Sequence, residues 1–263
     1  MKLTNRLAVL IGVFILPFCI GCHRNVLPTV ERGNEYQRIV DSFEQLIPKF
    51  EFRDYNHKAM HKLFDIKNYF NVLTNVSVRD GYYVDYVYCA MHRYGRPYIY
   101  ARKRGESNLS VDTACSILEG VIWESEVLEG LTTQYLKEVE ADGTAMGFFQ
   151  WVVLYLLGDQ FFLFDHALYH DERIICTKEK LESVLAGKIP FGHTIPENAK
   201  KEARKIDVTP VIETVGNNTE VKIVTFSKWK GFQRRTFVFL NYPQMLSRKE
   251  TVTLVPYNCG IQF

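Results

Sequence analysis

Two pairs of histidines stand at spacings that suit chemistry. His57 and His61 are one helical turn apart with Asp65 a further turn on, so a helix would set three ligand-type side chains on one face. Lys58 follows His57, however, and the His-Glu-x-x-His pattern that gives a zinc hydrolase its general base is absent. The denser cluster is Asp165-His166 and His170-Asp171. His166 and His170 share a face of an extended strand by their even separation, and on a helix they are neighbours as well. They are the candidate metal ligands, and a hydrolase built on them is one reading of the chain. Acidic residues pairing with histidines at a strand end explain the same cluster without a metal, because spacing assigns no third ligand. A Gly-x-Ser-x-Gly elbow and a phosphate-cradling glycine loop are both missing, and no cysteine of the body sits in a protease context. No catalytic residue is assigned, and no cofactor or resident metal is expected.

Tyrosine is the stronger anomaly, with seven between Tyr82 and Tyr100. Asp80-Gly81 separates the runs Phe70–Val78 and Tyr82–Cys89, and such a pair takes the positive φ angles of a two-residue hairpin turn. That register sets Arg79, Ser77, Asn75 and Leu73 opposite Tyr82, Val84, Tyr86 and Tyr88, and leaves Val78, Val76, Val72 and Phe70 to meet the core. Tyr82, Tyr86 and Tyr88 then face solvent or a groove. Joined by Tyr98, Tyr100 and Arg102 from the next strand, they would form a flat aromatic and hydrogen-bonding platform suited to a sugar or a peptide. Cross-strand tyrosine pairing beneath the N-terminal helix is the alternative, since aromatic residues favour strands in any case.

The elements that must carry these residues read as follows. Tyr36, Ile39, Val40, Phe43, Leu46, Ile47 and Phe50 recur at three and four, which predicts an amphipathic helix stopped near Pro48. A less regular helical stretch covers 57–68. After the hairpin comes a turn at Gly95-Arg96-Pro97 and a strand at 98–104, while 111–128 suits helix and strand equally. Runs at 135–140, 146–157 and 160–169, parted by Asp142-Gly143 and Gly158-Asp159, read as a meander. Its middle strands are apolar on both faces and belong in a covered sheet centre. Thr177 caps a helix that Gly187 stops, Thr194 and Glu197 have capping-box spacing before a short helix to Lys205, and strands follow at 208–215, 219–228, 232–241 and 250–256. The sum is an α+β body with a largely antiparallel twisted sheet, an N-terminal amphipathic helix and a few short helices. It spans residues 35–263 as one unit, and the Pro- and Gly-bearing stretch 188–198 is the one break at which it would subdivide.

The N-terminus sets the address. Lys2 and Arg6 precede an apolar run from Leu7 to Ile20. A membrane span needs about 20 apolar residues, so this shorter run reads as the h-region of a secretory signal. With Gly21 before Cys22, the segment resembles a bacterial lipobox. The resemblance implies removal of residues 1–21, a diacylglyceryl group on Cys22, a tether over 22–34 and attachment of the body to a membrane of the bacterial cell envelope through more than one acyl chain. Loss of residues 1–21 takes Lys2 and Arg6 from a total of 32 Lys+Arg and leaves 30, against 30 Asp+Glu, so the mature chain is formally neutral. Nucleic-acid binding, which draws on a basic face, gains no support from that balance. Cys89, Cys115, Cys176 and Cys259 remain in the body, with three disulfide pairings open to them or a role as small buried apolar residues. The expected function is a non-enzymatic binding or interaction module whose partner is a peptide, a glycan or a protein. The hydrolase is one alternative, and a carrier that wraps a lipid tail is another.

Overall fold

The computed structural model describes residues 29–48, 64–91, 94–121, 125–165, 171–187 and 193–260. Its first helix, α1 (Thr29–Leu46), buries Tyr36, Val40 and Phe43 on one stripe, as the three-and-four spacing requires. It starts at Thr29, so 29–34, read as tether, is helical. A 3₁₀ turn at Ile66–Asn68 runs into a short helix, α2 (Tyr69–Val72), and then into β1 (Val76–Val78).

The hairpin expected around Asp80-Gly81 does not form. The turn is present, with Tyr82 N–H donating to the Arg79 carbonyl and Gly81 at φ +87°. Residues 70–72 are helical, though, and β1 pairs antiparallel with β4 (Val139–Ala141) rather than with β2 (Tyr82–Met91). Side chains on either side of β1 hold it to β4. Asn75 is clasped by Gln150 and Asp142, and Arg79 bridges Glu138 and Glu140. The partner of β2 is β3 (Tyr94–Lys103), in register from Tyr82↔Lys103 to Met91↔Tyr94. Gly95, Arg96 and Pro97 are therefore strand and not turn. Pro97 is tolerated there because the third strand of that sheet, β5 (Phe164–Asp165), accompanies β3 only at Tyr94 and Gly95.

Residues 111–132 resolve into two helices, α3 (Val111–Glu119), capped by the Ser110 hydroxyl, and α4 (Ser125–Thr132). A 3₁₀ turn at Gln134–Glu138 stands where a strand was expected, leading to β4. The larger correction is 146–157. It is not a strand but the core of α5 (Ala145–Leu157), and Gln160–Tyr169 contributes only the two residues of β5. An all-round apolar helix has the same composition as a strand buried on both faces, and α5 is buried on every side from Gly147 to Leu157. Its start is fixed chemically. Thr144 Oγ1 accepts from Gly147 N–H, and Asp142 Oδ1 accepts from both the amide and the hydroxyl of Thr144.

A short strand that the sequence did not announce, β6 (Arg173–Ile175), comes next, and the rest follows the expected order: α6 (Lys178–Ala186) capped by Thr177, α7 (Glu197–Ala203), then β7 (Val211–Val215), β8 (Asn218–Ser227), β9 (Gly231–Asn241) and β10 (Gln244–Val255). The capping box at Thr194 is not made, since Pro196 is the residue before α7. Strands β10, β9 and β8 run side by side, and β7 and β6 occupy successive lengths of the far edge of β8. Alternation along β8 then builds two cores. Val221 and Ile223 face α5, whose Phe148, Trp151 and Tyr155 meet Phe237 and Phe239 of β9, whereas Val224 and Phe226 face α6 and α7. Helices α6, before the 188–198 stretch, and α7, which begins at its end, share that second core. The protein is α+β with twisted antiparallel sheets.

Candidate functional site

In the three-stranded sheet the order among the described residues is β2, β3, β5, with the ten-residue β2 first. Beside β2 lies a cleft of about 470 Å³ whose polar lining comes from Asp65, Lys67, Asp85, Tyr86, Tyr100 and Asn108. One wall is the 64–67 turn. Asp65 Oδ1 accepts from Lys67 N–H at 3.0 Å, which closes the turn, and the Phe64 carbonyl accepts from the Tyr86 hydroxyl at 3.1 Å. The Phe64 ring is locked against Phe161 and Tyr69, with centroids 4.4 and 5.2 Å away. The opposite wall is the 106–109 loop. Leu109 N–H donates to the Tyr100 hydroxyl at 3.1 Å, and Glu106 accepts through its carbonyl from Arg102 and through its carboxylate from Lys103 N–H.

Both carboxylates that line the cleft are engaged by neighbouring groups. Asp85 is engaged by Arg102 at 2.8 Å, and Asp65 is occupied by the turn it caps. Burial, reinforced by the Asp65 carboxylate, pushes the Tyr86 phenol up to about 12. Burial also raises Tyr100, with the Leu109 amide pulling the other way. Both are neutral hydrogen-bonding groups at ordinary pH. The exposed polar groups that the cleft offers a ligand are the Lys67 ammonium and the Asn108 amide.

The six residues expected to form one platform do not share a face. Because β2 pairs with β3 in the observed register, Tyr82, Tyr86 and Tyr88 lie with Lys103, Ile99 and Pro97 on one side of the sheet. Tyr98, Tyr100 and Arg102 lie with Val87, Asp85 and Tyr83 on the other. The first side faces the main core and not solvent. Tyr86 and Tyr88 are 8% and 2% exposed, and their hydroxyls donate to the backbone carbonyls of Phe64 and Phe162. Tyr82 is half-buried at the start of the strand. Tyr98 is buried beneath α3 with its ring stacked on Tyr100, and Arg102 and Arg104 lie over the ring of Tyr83. Only Tyr86 and Tyr100 of the six line the cleft, one from each face. Sequence reasoning missed Lys67, Asp85 and Asn108, and singled out Asp65 only as a ligand-type side chain beside His57 and His61. Asp85, the one charge in the run 82–89, was a usable signal that the odd-numbered face lies nearer water.

His57, His61, His166 and His170 lie outside the described residues, as do Cys22 and the segment before it. Among the described residues no group of three or more His, Cys, Asp or Glu side chains is placed to hold a metal ion, and no helix is long and apolar enough to cross a membrane. A second cleft, of about 490 Å³, is lined by Trp229, Lys230, Gln233, Tyr257 and Asn258 at the β8–β9 turn. The neighbouring Lys228 is buried, with its ammonium over the Trp229 ring at 5.2 Å. No protein-family model matches the chain, and searches of curated proteins and of solved structures find no match either.

Proposed function

We propose that the chain is a lipid-anchored protein of the bacterial cell envelope, tethered through Cys22, and that its body is a non-enzymatic binding module that takes an extended peptide segment along β2. The observation that carries the peptide reading is the polar cleft that runs beside β2, with Lys67 and Asn108 exposed on its walls. An extended peptide lying in the cleft meets Lys67 and Asn108, which read its polar groups. The occupied state of both cleft carboxylates favours binding over bond cleavage. The anchor rests on the run from Lys2 to Cys22.

Selection from an unbiased displayed-peptide library, followed by calorimetry on the purified chain, tests the module. Bound peptides should shift the amide resonances of 84–88, and Lys67→Glu or Asn108→Ala should weaken them at least about tenfold, equivalent to about 1.4 kcal/mol. Both positions are exposed, so folding is spared. Failure to obtain a saturable peptide, or affinity untouched by both substitutions, overturns the reading. Mass spectrometry of the mature N-terminus tests the anchor separately, and an unmodified chain beginning elsewhere than Cys22 overturns it.

A further inference from the structure

We propose that Cys89 and Cys115 form a disulfide under oxidising conditions, fastening α3 to the sheet face it covers. Cys89 projects from the odd-numbered face of β2 into a small core with Val87, Tyr98, Ala114 and Leu118. Cys115 stands on α3 next to Ala114, packs against that same core, and is half-buried where Cys89 is fully enclosed. The two cysteines thus meet at one small core, one from the strand and one from the helix that covers it. Cys176 belongs to the main core and Cys259 to the one behind β8, each enclosed by apolar side chains. Of the three pairings that four cysteines allow, the geometry brings together the one between β2 and α3 and leaves Cys176 and Cys259 as buried thiols.

Access sets the order of events. Burial raises both thiols, but Cys115 is the more exposed and so the more accessible nucleophile. The Cys115 thiolate attacks one sulfur of a small-molecule disulfide such as oxidised glutathione. This forms a mixed disulfide on Cys115 and expels one thiolate, which takes up a proton. Cys89, deprotonated in turn, attacks the Cys115 sulfur and expels the second. Two protein thiols and one external disulfide become one protein disulfide and two external thiols. Because both thiols are held above their ordinary range, the reaction should accelerate from pH 7 to pH 9.

Peptide mapping of the full chain after equilibration with oxidised and reduced glutathione decides the matter. The expected result is a reducible cross-link joining the peptides that carry Cys89 and Cys115, with Cys176 and Cys259 alkylated only after denaturation. Cys89→Ser should trap glutathione on Cys115. Cys115→Ser, at a half-exposed position that leaves the fold intact by circular dichroism, should abolish the cross-link. Closing a loop of about 27 residues should shift the unfolding equilibrium toward the folded state by roughly a hundredfold. The proposal fails if Cys89 and Cys115 both remain alkylatable after oxidation of the folded chain, or if either is found joined to Cys176 or Cys259.

Discussion

Tyr86 is the residue at which the two readings of the tyrosine run part, and replacing it separates them. On an exposed platform, Tyr86→Ala would be nearly neutral for stability. In the observed packing its ring meets Phe161 edge-on at 4.9 Å and Phe64 at 6.1 Å, and its hydroxyl supports the Phe64 carbonyl. Truncating a buried aromatic side chain to alanine costs about 3–5 kcal/mol through lost transfer energy and the cavity left behind. Tyr86→Phe keeps the ring and removes only the donor, so about 1 kcal/mol is expected, with the added consequence that the 64–67 wall of the cleft loosens. The difference, about 2–4 kcal/mol, is the share of the ring. Tyr83→Ala is the control. Tyr83 is 41% exposed and its one notable contact is with Arg102 and Arg104, so its loss should stay within about 1 kcal/mol. Guanidinium unfolding followed by tryptophan fluorescence and circular dichroism gives all three values, provided the denaturant slope is unchanged. Equal, small losses for Tyr86→Ala and Tyr83→Ala would refute the core assignment of β2.

Three further outcomes follow from the same packing. Gly147→Ala should destabilise the protein by about 1–3 kcal/mol, because a methyl group there would lie 2.3 Å from Asp142 Oδ1 and 2.9 Å from the Asn75 carbonyl. Helix propensity alone predicts a gain of up to about 1 kcal/mol, so the sign of the measured change decides. Asp159→Ala should cost about 3–5 kcal/mol in chemical denaturation, since it strands the Arg96 guanidinium, whose side chain is 6% exposed. A double replacement by Met at 96 and Leu at 159 should recover much of that loss, and no recovery would mean the pair is not the cause. Burial holds the phenols of Tyr69 and Tyr135 well above the usual tyrosine range, and burial together with the Glu129 hydrogen bond does the same for Tyr155. A folded value raised above the unfolded one means that this stability is complete below about pH 10 and is lost as the pH rises further. Titration at 295 nm should therefore show these phenols ionising only as the far-UV signal collapses, and all 15 tyrosines titrating together near pH 10 in a folded chain would contradict the packing.

What was legible in the sequence was local. Helix α6 carries its own start and stop in Thr177 and Gly187, and β8, β9 and β10 follow one another through short connections, so alternation and turn residues suffice to place them. What was not legible depended on partners distant in the chain. Helix α5 has no polar face to give a period, because it is enclosed by α1 on one side and the five-stranded sheet on the other. The pairing of β1 with β4 spans some sixty residues and is enforced by Asn75, Gln150 and Asp142, a polar clasp with no sequence signature. The β2–β3 connection likewise carries no turn residue to announce it.

The misplaced platform shows how one wrong pairing propagates. A strand assigned to the wrong neighbour loses the reference that says which of its faces is covered, and with a period of two every side chain is then placed on the wrong side at once. Tyrosine disguised the error, because its ring fits a core and its hydroxyl fits a surface. In β2 the hydroxyls of Tyr86 and Tyr88 are accommodated inside by the carbonyls of Phe64 and Phe162, backbone acceptors left free where the chain is irregular. Phe162 sits at φ +52° in that irregular stretch, and the Tyr88 hydroxyl satisfies its carbonyl where no ladder does. The tyrosines thus close the backbone around β2 from within. The proposed recognition therefore falls to polar groups outside the core, Lys67 and Asn108 on the walls of the cleft.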